Sequence, residues 1–210
     1  MVMDIDSART WIGLYGDGIE QRVDELNKLD AALGDGDFGA SMQRGMTAVG
    51  ETVDSMETDS LGEMFKTVGM TLVSAMGGTS GPLVGTLFLR AGMSFGDVRE
   101  ADVADLATAL RAGADGVMAL GEAAPGDKTM IDSLVPAVEV LENAGDASMN
   151  SAVGNAARSA RDAAEATSEL AARRGRASYV GGGGVGHIDP GATGIAILFE
   201  ALDTAINPPQ

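Results

Sequence analysis

The chain has 210 residues, with 14 lysines and arginines against 31 aspartates and glutamates, a formal net charge of −17. Such a surface repels nucleic acid and anionic membranes, so neither is expected as a partner. Cysteine is absent, which removes disulfides and thiolate metal centres; with 45% hydrophobic but only 4% aromatic residues, the core should consist of Ala, Val, Leu, Ile and Met between closely spaced helices.

The opening MVMDIDSARTW has no basic stretch followed by an apolar run, so it does not read as a secretory signal. No apolar run approaches the ~20 residues that span a bilayer. A cytoplasmic protein is expected. Lysine occurs only at Lys28, Lys66 and Lys128, and an aspartate-rich, lysine-poor surface suits concentrated salt, where counterions screen self-repulsion. A halophilic source is expected on that ground.

Helical periodicity runs through 7–29, 39–53, 60–76, 81–95, 101–120, 128–144, 149–173 and 190–206. Ile131, Leu134, Val135, Val138 and Leu141 share one face, while Pro136 inside the same segment predicts a kink. Ala152, Ala156, Ala160, Ala163, Ala164 and Ala171, with Thr167 in register, predict a long helix in close contact with neighbours. The stretches GTLFLRAG and GIAILFEAL could be buried strands, but both continue helical patterns. The expected fold is all-α: a single domain over 1–210, an antiparallel up-and-down barrel of about eight helices with short links.

The links alternate in character. Those after the first, third, fifth and seventh segments are glycine-rich (DAALGDGDFG, MGGTSGP, GEAAPGDKT and GRASYVGGGGVGHIDPG), and the intervening ones are plain. Alternate connections of an up-and-down bundle emerge at the same end, so the glycine-rich loops should converge.

Asp30, Asp35 and Asp37 come first. Gly34 and Gly36 break the helix, and residues two apart in an extended segment point the same way. Oxygen donors without His or Cys suit Mg²⁺; a solvated acidic turn would read the same. The EF-hand spacing is absent. In the second loop Gly77 and Gly78 admit close backbone approach, Thr79 and Ser80 offer hydroxyls, and Pro82 suits a helix start. Free amides there can bind phosphate, or the loop is a plain helix cap. It is not a Walker A motif and holds no lysine, so phosphate charge would need a metal. In the third loop Asp127 can cap the next helix, and Met130 is either core or a soft wall for adenine. The last loop carries Arg176, Tyr179, His187 and Asp189 around Gly181–Gly184. Its glycines should make it mobile, as a lid would be. Arg176 could clamp a phosphate or pair with surface carboxylates. His187, the one histidine, is a hydrogen-bonding residue or a phosphorelay site. No G-x-S-x-G elbow points to a hydrolase.

Taken in order, LDAALGDGDFGASMQRG, GMTLVSAMGGTSGPLVGT, APGDKTMIDSLVPA and GRASY…GHIDPGAT resemble the L subunit of dihydroxyacetone kinase over nearly the whole chain. The resemblance implies an eight-helix barrel with ADP or ATP among the loops at one end. It implies two Mg²⁺ ions on Asp30, Asp35 and Asp37, and nucleotide contacts from Phe38, Gly39, Ala40, Ser41, Gly78, Thr79, Ser80, Gly121, Met130, Arg176, Asp189, Pro190 and Gly191. It implies partners: a K subunit that holds dihydroxyacetone, and a phosphohistidine-carrying M subunit that recharges ADP with phosphate from phosphoenolpyruvate. The chain leaves no room for a K domain, so that partner is expected to be separate. Alternatives are an ATP-dependent domain serving another acceptor and a non-catalytic ADP-binding regulatory module. Many members have histidine where this chain has Phe38, and a charged lid segment where it has Gly181–Gly184.

Overall fold

The computed structural model describes residues 2–209. Two short strands, β1 (Met3–Asp4) and β2 (Glu100–Ala101), pair antiparallel; the rest of the regular structure is helical. The helices are α1 (Ile5–Gln21), α2 (Val23–Leu33), α3 (Phe38–Asp54), α4 (Leu61–Ala75), α5 (Ser80–Phe95), α6 (Val103–Gly121), α7 (Ile131–Glu142), α8 (Met149–Ala166) and α9 (Pro190–Ile206). From α3 to α9 each packs on the next, and α1 lies between α9 and α3, which closes a barrel. Among the described residues, no helix is long and apolar enough to cross a membrane.

The all-α expectation holds, with two boundary corrections. The segment expected as one helix over 7–29 is two, broken at Arg22 (φ −117°, ψ 16°), whose N–H donates to the Ile19 carbonyl three residues back. The Arg22 guanidinium is held by Glu25 at 2.8 Å and by Glu200 of α9 at 3.3 Å, contacts that favour the bend. α2 is thereby an extra helix against α3 and α9, outside the ring. The helix expected over 149–173 ends at Ala166 and passes through a 3₁₀ turn, Thr167–Glu169, to extended backbone at Leu170. Ala171 is accordingly exposed, whereas Ala152, Ala156, Ala160 and Ala164 are buried as the periodicity predicts. Pro136 lies inside α7 without ending it.

The few aromatic rings are concentrated. Trp11, Phe65, Phe88 and Phe95 form a chain of contacts with centroids 5.0–5.8 Å apart, and the Trp11 indole N–H donates to the Leu198 carbonyl at 2.8 Å. Elsewhere the core depends on close backbones. A Cβ on Gly85 of α5 would lie 2.8 Å from the Gly69 carbonyl oxygen of α4, so alanine there would push the pair apart.

Candidate functional site

The loops after α2, α4, α6 and α8 meet at one end of the barrel, as the alternation of glycine-rich links predicts. They line a polar chamber that draws on residues of all four. A second, mostly apolar chamber of about 450 Å³ adjoins it, sharing Gly78, Thr79, Leu83, Thr129, Met130, Arg174 and Gly175.

The α2–α3 turn carries the acidic cluster. α2 stops at Leu33, and the chain reverses through Gly34–Asp37 into α3. Oxygens of Asp30, Asp35 and Asp37 all lie within 4.8 Å of one another. Asp30 also organises the turn: its Oδ2 accepts the Asp37 N–H at 2.9 Å and the Phe38 N–H at 3.2 Å. Asp37 occupies the cap position of α3 yet makes no side-chain capping bond. Asn27 of α2 does that work instead, its Oδ1 accepting the Ala40 N–H at 3.1 Å. The Asp37 carboxylate is thereby left free for a ligand.

The other predicted residues fall into three groups. Phe38, Ser41, Gly78, Thr79, Ser80, Met130, Arg176, Asp189, Pro190 and Gly191 line the polar chamber with the aspartates. Gly121 lines the apolar chamber with Met130, beside Pro82, Leu83, Val117 and Leu120. Gly39 and Ala40 line neither chamber; a Cβ on Gly39 would sit 2.3 Å from the Val23 carbonyl oxygen, and the Ala40 N–H is taken by Asn27. Phe38 is buried, with its ring edge against Gly194 of α9, so it wedges α3 onto α9.

One loop reading needs correcting. Asp127 does not cap α7; it accepts the Ala124 N–H at 3.0 Å and lies 3.7 Å from Arg173 and Arg174. Asp132 secures that loop, accepting the Thr129 N–H at 2.7 Å. The Gly181–Gly184 run, expected to be mobile, follows a defined path in the fold. Gly182, Gly183 and Gly184 all have φ between 63° and 70°, a left-handed path open to glycine, and Ala172 N–H donates to the Gly183 carbonyl at 2.8 Å. A Cβ on Gly184 would fall 2.2 Å from Leu33. His187 is exposed, and its backbone carbonyl accepts from Lys128.

The electrostatics fit a cation and an anion side by side. The Arg176 guanidinium pairs with Asp35, which, with Asp37 and Asp30 nearby, raises its already high pKa. A cation is thus already drawn to the acidic cluster. The Ser41 hydroxyl on the chamber wall is the one buried side-chain polar atom, among the described residues, without a hydrogen-bond partner, a state that buried hydroxyls avoid unless a ligand completes them. Asp189 caps α9 by accepting the Ala192 N–H at 2.8 Å, and burial pushes its carboxyl up to about 7. Lys128, Thr129, Arg174 and Gly175 line the chamber without having been anticipated. Lys128, Thr129 and Gly175 belong to two of the glycine-rich links expected to converge, and Arg174 directly precedes one of them, but nothing in the motifs singled these residues out.

The DAK2 domain signature matches residues 32–204. The chain belongs to the DAK2 domain family. Within it, the chain is 40% identical over 197 residues to the ADP-binding subunit DhaL of the PEP-dependent dihydroxyacetone kinase of Escherichia coli (strain K12), covering 93% of this chain and 94% of that one. It is 41% identical over 180 residues to the L-erythrulose 1-kinase of Mycolicibacterium smegmatis, covering 85% of this chain but 32% of that enzyme. Among solved structures it resembles the dihydroxyacetone kinase of C. freundii in complex with AMP-PNP and Mg²⁺, with a TM-score of 0.77 and 26% identity over 97% of this chain; it spans 34% of that one. The resemblance read from the loop motifs agrees with this family.

Proposed function

We propose that this chain is the ADP-binding subunit of a cytoplasmic phosphoenolpyruvate-dependent dihydroxyacetone kinase, a phosphotransferase. In this reading the nucleotide lies across both chambers. Its adenine occupies the apolar one between Leu83, Gly121 and Met130, and its phosphates face Gly78, Thr79, Ser80 and the Asp189–Gly191 turn. Asp30, Asp35 and Asp37 hold Mg²⁺, two ions in all, and Arg176 and Ser41 complete the phosphate contacts. The observation that carries the reading is the convergence of three carboxylates on a chamber with an unpartnered buried hydroxyl, next to an apolar pocket of about 450 Å³. Near-full-length relation to a subunit described as ADP-binding adds the nucleotide.

Bound Mg²⁺ would neutralise charge on the phosphate oxygens during in-line phosphoryl transfer. The chain's own residues bind and orient. Asn27 and Asp30 hold the start of α3 so that Asp37 stays free, and the apolar chamber excludes water from the base. The dihydroxyacetone hydroxyl lies on a separate K subunit, and a phosphohistidine on an M subunit restores the phosphoryl group.

The likeness to an erythrulose kinase supports a second reading with the same nucleotide site and a tetrulose acceptor. Purified protein should release ADP, near one per chain, on denaturation, or bind added Mg-ADP. Reconstitution with K and M subunits should then give dihydroxyacetone phosphate. Failure to bind nucleotide in either form would sink the reading; binding without turnover with any K-type partner would point to a regulatory module.

A further inference from the structure

Lys128 has no role in the site as drawn so far, yet its setting is unusual. The side chain is 1% exposed, and its backbone sits at φ 61°, in the left-handed region that lysine rarely adopts. The ammonium donates to the Thr167 carbonyl at 2.6 Å and to the His187 carbonyl. Burial holds its pKa below the ordinary lysine value, against the pull of Asp189 and Asp132. An apolar side chain could fill this volume without a desolvated charge, so packing alone does not explain a lysine here.

The two acceptors identify what the ammonium joins. Thr167 lies where α8 ends, and His187 lies two residues before the Asp189 cap of α9. Thr167 is held from the other side as well, because its Oγ1 accepts the Asp189 N–H at 2.9 Å. Lys128 thus reaches from the third loop to both ends of the last one, and the residue lines the polar chamber with Asp189, Pro190 and Gly191.

We propose that Lys128 is a positioning residue for ligand binding: its ammonium clamps the end of α8 to the 187–189 turn and so fixes the first turn of α9 against the polar chamber. The ligand's identity as a nucleotide rests on the function proposed above; the clamp does not. The acidic cluster belongs to the α2–α3 turn, and none of its carboxylates accepts from Lys128, so it is not part of this clamp.

The test uses the full chain with K128M, which keeps the stem and removes the charge, and K128R, which keeps the charge. Three measurements are made: Mg-ADP affinity by calorimetry, Mn²⁺ affinity without nucleotide, and amide exchange over 184–192. K128M should weaken Mg-ADP at least tenfold, leave Mn²⁺ binding within twofold, and speed exchange in that segment. K128R should recover most of the ADP affinity. A folded K128M with unchanged ADP affinity overturns the proposal, as does a parallel loss of Mn²⁺ binding or failure of arginine to rescue. If wild-type protein binds no ADP, the nucleotide reading fails, and exchange over 184–192 still decides the clamp. If K128M does not fold, K128Q, which removes the charge but keeps an amide donor, takes its place and should show the same pattern. T167V keeps the carbonyl held by Lys128 and removes the Oγ1 acceptor of the Asp189 N–H, so it should speed exchange over 184–192 less than either.

Discussion

Asp189 gives the sharpest pH prediction. Its carboxyl is buried, and its folded pKa stands at about 7 against 3.8 for an ordinary aspartate. The raised value means that the folded state keeps a proton that the unfolded state releases. The associated stability is therefore fully present below pH 3.8 and lost as pH rises through about 7. Each unit corresponds to about 1.4 kcal/mol, so between pH 4.5 and 7 the loss should be roughly 3 kcal/mol. The Asp189→Asn variant isolates this term, because asparagine can still accept the Ala192 N–H but does not titrate. Urea denaturation of both proteins without nucleotide, at several pH values, gives the difference. The stability of wild type relative to D189N should fall by a few kcal/mol over that interval. A pH-independent difference would mean that Lys128 and the helix amides keep Asp189 ionised in the fold, and the burial argument would be wrong.

Three further outcomes are expected. Arg176→Gln should leave the thermal midpoint unchanged, since the Arg176–Asp35 pair is exposed, but should weaken Mg-ADP binding roughly tenfold by calorimetry. Asn27→Ala should cost about 1 kcal/mol in urea denaturation; it should also reduce Mn²⁺ affinity, because Asp37 can then turn to cap α3 itself. With a net charge of −17, the denaturation midpoint should rise on going from low salt to ~1 M potassium chloride, where the screening length falls to about 3 Å; a flat or falling midpoint would remove the case for a halophilic adaptation.

Much of this was legible in the sequence because glycine and charge are local signals. The D-G-D turn, the G-T-S-G-P helix start and the D-P-G cap each mark a loop on their own, and alternation along the chain placed them at one end. What escaped depends on distance in the chain. Nothing around Arg22 breaks a helix; the bend goes with ion pairs to Glu25 and to Glu200, the latter 178 residues away. α8 stops at Ala166 although alanines continue its register, because Thr167 is engaged by Lys128 and Asp189. Asn27 and Lys128 look like ordinary polar residues until the fold gives the first its donor, the Ala40 N–H, and the second its acceptors, the Thr167 and His187 carbonyls. The glycine run reads as slack by composition, yet it is packed against Leu33 and bonded to Ala172.

A nucleotide site whose charge is balanced by metal on Asp30, Asp35 and Asp37 must lose affinity when the metal is withdrawn. Calorimetric titration of the full chain with ADP, with Mg²⁺ and then with a chelator in its place, tests it most directly. One ADP per chain is expected, with an affinity at least a hundredfold weaker without the metal. Equal affinity in the two titrations would contradict it.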